Sequence, residues 1–218
     1  MNAIPFTKDV LPVSATEHTV TLMYSENPRS RKLRRIVDRT VAGIFLVLSS
    51  PIVGAACIAI YLEDGGPVFF KQRRAGRFER LFTIYKLRTM RVEDLGDKKT
   101  PSNGTDRRIT RVGRILRKTS IDELPQFLNV WRGEMALVGP RPEMPFIVRE
   151  YKNWQHLRHL VTPGLTGLWQ TSHRALMPLE SPEATLLDLE YINTASPAVD
   201  RRLLLRTISS VLLAKGAY

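Results

Sequence analysis

Asp122 and Glu123 are adjacent carboxylates in a cationic stretch, Arg117-Lys118-Thr119-Ser120-Ile121-Asp122-Glu123-Leu124-Pro125-Gln126. A carboxylate can attack as a nucleophile and carry a covalent intermediate. A neighbouring carboxylate can hold Mg²⁺, which neutralises phosphate charge. Arginines fix phosphates through planar, bidentate contacts, and Arg117 and Arg141 flank the acids, the latter within Gly139-Pro140-Arg141-Pro142. The same residues admit a structural reading. Ser120-x-x-Glu123 has the form of a capping box, and acids suit a helix start. Pro125 lies past the first turn of a helix capped by Ser120 and favours a start nearer Asp122. Acids at a helix start can also be catalytic, so both readings stand on these residues alone. Gly139-Pro140-Arg141-Pro142 excludes regular helix and by default is a stiff surface loop.

The elements that must position these groups are legible in outline. The 218 residues suffice for one domain with its own core, and the net charge of +12 points to an anionic partner: nucleic acid, an anionic membrane, or a phosphate-rich substrate. The single cysteine, Cys57, excludes an intrachain disulfide and reads as inert packing. Residues 1–30 carry Pro5, Pro12 and Pro28 among polar residues and read as a flexible or irregular arm without a signal peptide.

A basic cluster, Arg31, Lys32, Arg34, Arg35 and Arg39, precedes 23 uncharged residues from Thr40 to Leu62. As a straight helix that run spans roughly 34 Å, enough to cross a bilayer. Two features oppose a simple crossing. Ser50-Pro51 lies mid-run, where proline removes a helix hydrogen bond. Basic residues also flank both ends, the second group being Lys71, Arg73, Arg74, Arg77 and Arg80, and positive flanks favour one side of the membrane. A helix that enters, breaks at Ser50-Pro51 and returns satisfies both, with serine hydroxyls serving the freed backbone.

Beyond Gly65-Gly66-Pro67 the pattern predicts short strands at 68–70 and 81–85 joined by a basic turn at Gly76. It predicts a mobile loop at 90–106, helices over 107–117 and around 124–131 ending at Gly133, and tight loops at Pro163-Gly164 and Gly167. The tail, 200–214, predicts an amphipathic helix with Leu204, Ile208, Val211 and Leu212 on one face, packed on the core or lying in the membrane interface. His156 and His159 lie one helical turn apart, but no acidic or cysteine partner completes a metal site, and they read as a solvated surface pair. Trp154 and Trp169 suit either core or interface.

Several motifs in order carry a resemblance over about residues 31–218: the lead-in with Asp38, the run broken at Ser50-Pro51, Gly66-Pro67-Val68-Phe69-Phe70-Lys71-Gln72, Tyr85-Lys86-Leu87-Arg88-Thr89-Met90, residues 107–113, 116–129 and 137–142, and Pro163-Gly164-Leu165-Thr166-Gly167-Leu168-Trp169-Gln170. The chain resembles the bacterial sugar transferases of the monotopic phosphoglycosyl transferase family. The resemblance implies Asp122 as nucleophile with Glu123 as dyad partner, Mg²⁺ beside them, a UDP-sugar donor releasing UMP, and polyprenol (undecaprenyl) phosphate as acceptor. It implies that Arg117 and Arg141 contact phosphate. Lys86 and Arg88 then face the nucleotide or line a basic membrane surface. Asp200 either approaches the site or caps the last helix. The expected fold is α/β and helix-dominated: a monotopic membrane protein with a re-entrant broken helix over 31–64, amphipathic interfacial helices, a few short strands, and a catalytic domain over 65–218. It faces the cytoplasm at the bacterial inner membrane, touches membrane lipids, and leaves room for a homodimer. Two rivals are a nucleic-acid-binding protein, for which no motif is present, and a non-catalytic membrane scaffold, against which the intact Asp122, Glu123, Arg117 and Arg141 argue.

Overall fold

A computed structural model describes residues 11–15, 18–22, 28–94, 106–172 and 178–212. Helix α1 runs Pro28–Asp64 and contains the whole apolar run. It is continuous through Pro51. The proline has no N–H for the Val47 carbonyl one turn back, and the Ser50 hydroxyl donates to that carbonyl at 2.8 Å. The serine thus performs the backbone service expected of it, in a helix that continues past the proline.

One face of α1 packs on the rest of the chain from end to end. Its buried positions, Asp38, Ala42, Ser49, Ala56 and Ile60, keep helical spacing across the proline. Ala42 joins the larger core with Val130, Trp154, Leu189 and Leu203. Ala56 and Ile60 join a smaller one with Leu87 and Leu116. The division at residue 64 is therefore one of composition, and packing continues across it. Both helix ends are tied to the same body. Arg34 donates to the Val138 carbonyl at 2.8 Å and pairs with Asp200 at 3.1 Å. At the other end Glu63 accepts from the Arg111 and Val112 amides, and Asp64 pairs with Arg88. The opposite face exposes Ile44, Val47, Leu48, Ile52, Ile58 and Leu62, an apolar stripe larger than water-facing surfaces usually tolerate.

Strands β1 (Leu11–Ala15) and β2 (His18–Leu22) pair antiparallel, with Val13 opposite Val20. This corrects the expectation of an irregular arm for that stretch: apolar residues at 11, 13, 15, 20 and 22 alternate as a strand requires. The rest of the arm before Pro28 lies outside the described residues.

Strands β3 (Phe69–Ala75) and β4 (Leu81–Leu87) form an antiparallel hairpin, as the aromatic and β-branched runs predict. A 3₁₀ turn at Arg77–Glu79 closes it. Helix α2 (Arg111–Lys118) is capped by Thr110, whose side chain accepts from the Gly113 amide at 2.9 Å. A 3₁₀ segment, Ile121–Gln126, leads into α3 (Phe127–Arg132). Gly133, at φ 81°, ends α3 in the left-handed conformation open to glycine. Of the loop predicted at 90–106, residues 95–105 lie outside the description.

Strand β5 (Ala136–Val138) runs parallel to β6 (Gly164–Thr166). This pairing explains the glycines of two distant motifs. A Cβ on Gly164 would lie 2.1 Å from the Gly139 nitrogen, and one on Gly139 would lie 2.6 Å from the Thr162 carbonyl oxygen, so only bare backbones can meet there. Short helices α4 (Pro145–Val148) and α5 (Leu168–Ser172), a 3₁₀ segment at Asn153–Leu160, then α6 (Pro182–Thr194) and α7 (Pro197–Leu212) complete the fold. Trp154 and Trp169 are both core residues. In α7, Leu203 is buried while Leu205, Ile208 and Val211 are exposed. Of the predicted face, Leu204 packs partly against the core, while Ile208 and Val211 remain outward. The molecule is helix-rich with a few short strands and one long apolar helix, as the sequence suggested.

Candidate active site

Asp122 and Glu123 occupy the first turn of the 3₁₀ segment 121–126. The predicted cap does not form. Ser120 sits at φ 57°, ψ 17°, in the left-handed region, and its side chain caps nothing. That turn brings the two acids against β4. Asp122 is buried. The Glu123 Oε1 accepts from Lys86 Nζ at 3.0 Å and from Arg141 Nη2 at 2.8 Å. Three residues from separate motifs thus meet on one carboxylate oxygen, each with its side chain less than a fifth exposed.

Lys86 reaches the dyad because β4 is clamped to α3. The Asn129 side chain, fully buried, accepts from the Tyr85 amide at 3.2 Å and donates to the Thr83 carbonyl at 2.6 Å and to Glu134 at 2.7 Å. Sequence reasoning assigned Asn129 no role. Its signal was an amide between Leu128 and Val130 on an otherwise apolar helix, and such a group is buried only where hydrogen bonds satisfy it.

Arg141 is held through its loop. Ala75 donates its amide to the Glu143 carbonyl at 2.9 Å, Arg74 reaches the Pro142 carbonyl at 3.2 Å, and Arg158 reaches the Arg141 carbonyl at 3.0 Å. Arg158 and its partner Asp188, 2.6 Å apart, are each 1% exposed, and Arg158 also donates to the Tyr151 hydroxyl at 2.5 Å. Neither Arg158 nor Asp188 was singled out from sequence. Arg117 Nε donates to the Thr89 hydroxyl at 2.9 Å, which fixes that guanidinium along the segment that follows β4.

The electrostatics follow from burial beside opposite charge. Burial lowers the Lys86 pKa below its ordinary value; Glu123 opposes this and Arg141 reinforces it. Burial also works against the charge on Arg141, but the Glu123 carboxylate outweighs it and holds that pKa above the ordinary value. Lysine 86 is therefore the group of this cluster that loses its charge first as pH rises. Replacing it with arginine, which does not titrate in this range, is expected to move the alkaline limb of kcat/KM to higher pH; a pH–rate profile of Lys86→Arg beside the parent checks it.

Two further candidate site residues have partners at the ends of α1. Arg88 is 1% exposed and binds Asp64 and, at 2.5 Å, the Gly65 carbonyl. It ties the end of β4 to the end of α1. Asp200 accepts from the Tyr191 hydroxyl at 2.8 Å and pairs with Arg34. It does not cap α7 either: the Ser196 hydroxyl accepts from the Val199 amide at that end, and Asp200 lies inside the first turn. Its partners place it on the Arg34 end of α1, where it anchors the helix. Cys57 is half-buried packing in the smaller core, as expected.

Oxygen donors from two neighbouring carboxylates, beside cations suited to phosphate, are a set that fits a hard divalent ion such as Mg²⁺. An acidic pair beside a lysine and an arginine from two other motifs, on a domain that carries a long apolar helix, is an arrangement suited to binding phosphorylated groups. The chain belongs to the bacterial sugar transferase family, whose model matches residues 29–214.

Among its relatives, an uncharacterized sugar transferase EpsL of Bacillus subtilis is 40% identical, the match covering 84% of this chain and 89% of the relative. The UDP-glucose:undecaprenyl-phosphate glucose-1-phosphate transferase of Caulobacter vibrioides is also 40% identical, over 85% of this chain and 72% of that protein. The galactosyl transferase CpsE of Streptococcus agalactiae is 41% identical over 81% of this chain, but the match spans only 43% of that longer protein.

Proposed function

We propose that this enzyme transfers a sugar-1-phosphate from a UDP-sugar to undecaprenyl phosphate through a covalent intermediate on Asp122, as the first membrane step of a surface-polysaccharide pathway. The observation that carries the reading is the Lys86–Glu123–Arg141 cluster beside the buried Asp122. Such an array suits charge developing on two phosphates. An Asp122 oxygen attacks the sugar-bearing phosphorus. The bond from that phosphorus to the bridging oxygen breaks, and UMP leaves with the bond's electron pair. A phosphate oxygen of the lipid then attacks the same phosphorus, and the Asp122 carboxylate is expelled. Lys86 and Arg141 hold the donor phosphates, Arg117 lies along their approach, and Glu123 orients the two cations. Bound at Asp122 and Glu123, Mg²⁺ supplies charge neutralisation to the phosphates.

The family relatives differ in the sugar their names print: galactosyl, glucose and, in Aeromonas hydrophila, N-acetylgalactosamine. A panel of UDP-sugars with undecaprenyl phosphate, read by UMP release, tests the reaction and identifies the donor. Absence of UMP release with every donor overturns the reading.

For the membrane we propose that α1 lies within the cytoplasmic leaflet of the inner membrane, entering and leaving on one side. Ties from both helix ends to one domain support this, as do the basic flanks. Cysteines placed at Leu33 and at Arg80 in a Cys57→Ala background are expected to react with an impermeant thiol reagent from the cytoplasmic side alone. Reaction from opposite sides overturns the topology.

A further inference from the structure

We propose that Glu79, His156 and His159 form a second metal site, for a borderline-soft divalent ion such as Zn²⁺, which cross-links the β3–β4 turn to the 153–160 segment. The site lies outside the transfer chemistry and stands whether or not that chemistry is right. The ligating atoms of the three side chains all lie within 4.8 Å of one another. The sequence separates Glu79 from the histidines by 77 positions and more, so only the fold supplies the acid that the histidine pair lacked.

Local structure explains the convergence. Residues 153–160 form a 3₁₀ helix, in which side chains three apart eclipse. His156 and His159 therefore project to the same side. Opposite them, Phe78 and Glu79 both have positive φ, 53° and 58°. Non-glycine residues seldom hold that conformation, and it turns the Glu79 carboxylate toward the imidazoles.

The unexplained group is His159. It is 93% buried, and its Nδ1 has no hydrogen-bond partner among the described residues. Glu79 Oε1 lies 3.7 Å from it. A buried ring nitrogen without a partner is rare and costly, and a cation between it and the carboxylate would satisfy both. The separation suits this: bonds of about 2.0–2.1 Å at tetrahedral angles put ligand atoms roughly 3.4 Å apart. The Glu79–His156 contact of 2.5 Å is a hydrogen bond that metal would replace. Both side chains are more than a third exposed. Two imidazoles and one carboxylate select Zn²⁺ over Mg²⁺, with the fourth position left to water.

The test uses tag-free full-length protein in detergent with excess Mg²⁺ present. Co²⁺ serves as the spectroscopic probe and Zn²⁺ as the competitor. One equivalent of Co²⁺ is expected to give the visible ligand-field absorption of a four-coordinate site and to be displaced by Zn²⁺. Zn²⁺ should also raise the melting temperature. Glu79→Gln, His156→Gln and His159→Gln should each abolish the stoichiometric signal, while Asp122→Asn retains it. The first two alter exposed side chains, so folding does not obscure the result. The chain's other histidines, His18 and His173, are untouched in every variant and control for loose binding. No stoichiometric Co²⁺ signal in the parent, or an undiminished one in Glu79→Gln and His156→Gln, overturns the site.

Discussion

Replacing Asp122 with asparagine is expected to lower sugar-phosphate transfer by a factor on the order of 10³ or more, because removal of a covalent nucleophile leaves only binding and electrostatic help. The amide is isosteric with the carboxylate and cannot form the acyl phosphate. Folding should change by no more than about 1 kcal/mol, the usual range for a shape-preserving change, and membrane association should not change. Radiolabelled donor supplied without lipid acceptor should leave label on the parent protein after rapid quench and none on Asp122→Asn. If the variant still turns over at a tenth of the parental rate, Asp122 is not the nucleophile. If product accumulates in the parent with no trapped label, the two-step route is wrong even though the enzyme is a transferase. The measurement is informative because Glu123 is committed to Lys86 and Arg141 and is poorly placed to substitute as the attacking group.

Arg158→Met is expected to cost about 3–5 kcal/mol of stability, the range for removing one partner of a buried pair. The guanidinium has three partners: Asp188, the Tyr151 hydroxyl and the Arg141 carbonyl. Its loss strands a carboxylate that is 1% exposed. Burial already lifts the Asp188 pKa from 3.8 to about 6 against the pull of Arg158, and without that cation it rises further. The native variant then holds a proton that the unfolded chain releases above about 3.8. Stability from that protonated form is present at low pH and lost as pH rises through the folded pKa. The deficit relative to the parent should therefore be smaller at pH 5 than at pH 8, by denaturant melts of both proteins at each pH. Pairing the change with Asp188→Leu should recover much of the loss, since replacing both charges by apolar groups is often close to neutral. A deficit independent of pH would mean that lost packing and the Tyr151 and Arg141 contacts outweigh the stranded charge. Activity should fall too, because the Arg141 loop loses a support.

The two sets of residues behind these expectations differ in how they could be found. Asp122, Glu123, Arg141 and Lys86 were legible because they sit in motifs whose order marks a family. The hairpin at 69–87 was legible from its aromatic and β-branched runs, and the end of α3 from Gly133. Arg158 and Asp188 were not: a charged residue reads from sequence as solvated surface, and only a partner 30 positions away makes its burial tolerable. For Arg88 and Asp200 the motifs left two readings each, and the fold added partners that no motif names, Asp64 and Arg34. Asn129 was passed over because an amide's worth depends on the backbone groups it meets.

The sequence alone determined what is written in near neighbours. These are a long uncharged run with Pro51 and basic flanks, two period-two segments around a glycine turn, and an ordered set of motifs with paired acids in a cationic setting. Each depends on residues a few positions apart, where chain geometry dictates which side chains share a face. Tertiary structure decided which distant groups meet. Lys86 and Arg141 come from 37 and 18 positions away to share one oxygen of Glu123. Gly139 and Gly164 give up side chains so that two backbones can touch. Glu79 turns toward His156 and His159, and α1 is held at both ends by one body. Such pairings follow from which surfaces exclude water together and which charges can be buried only in company, and neither is a property of any short stretch of chain.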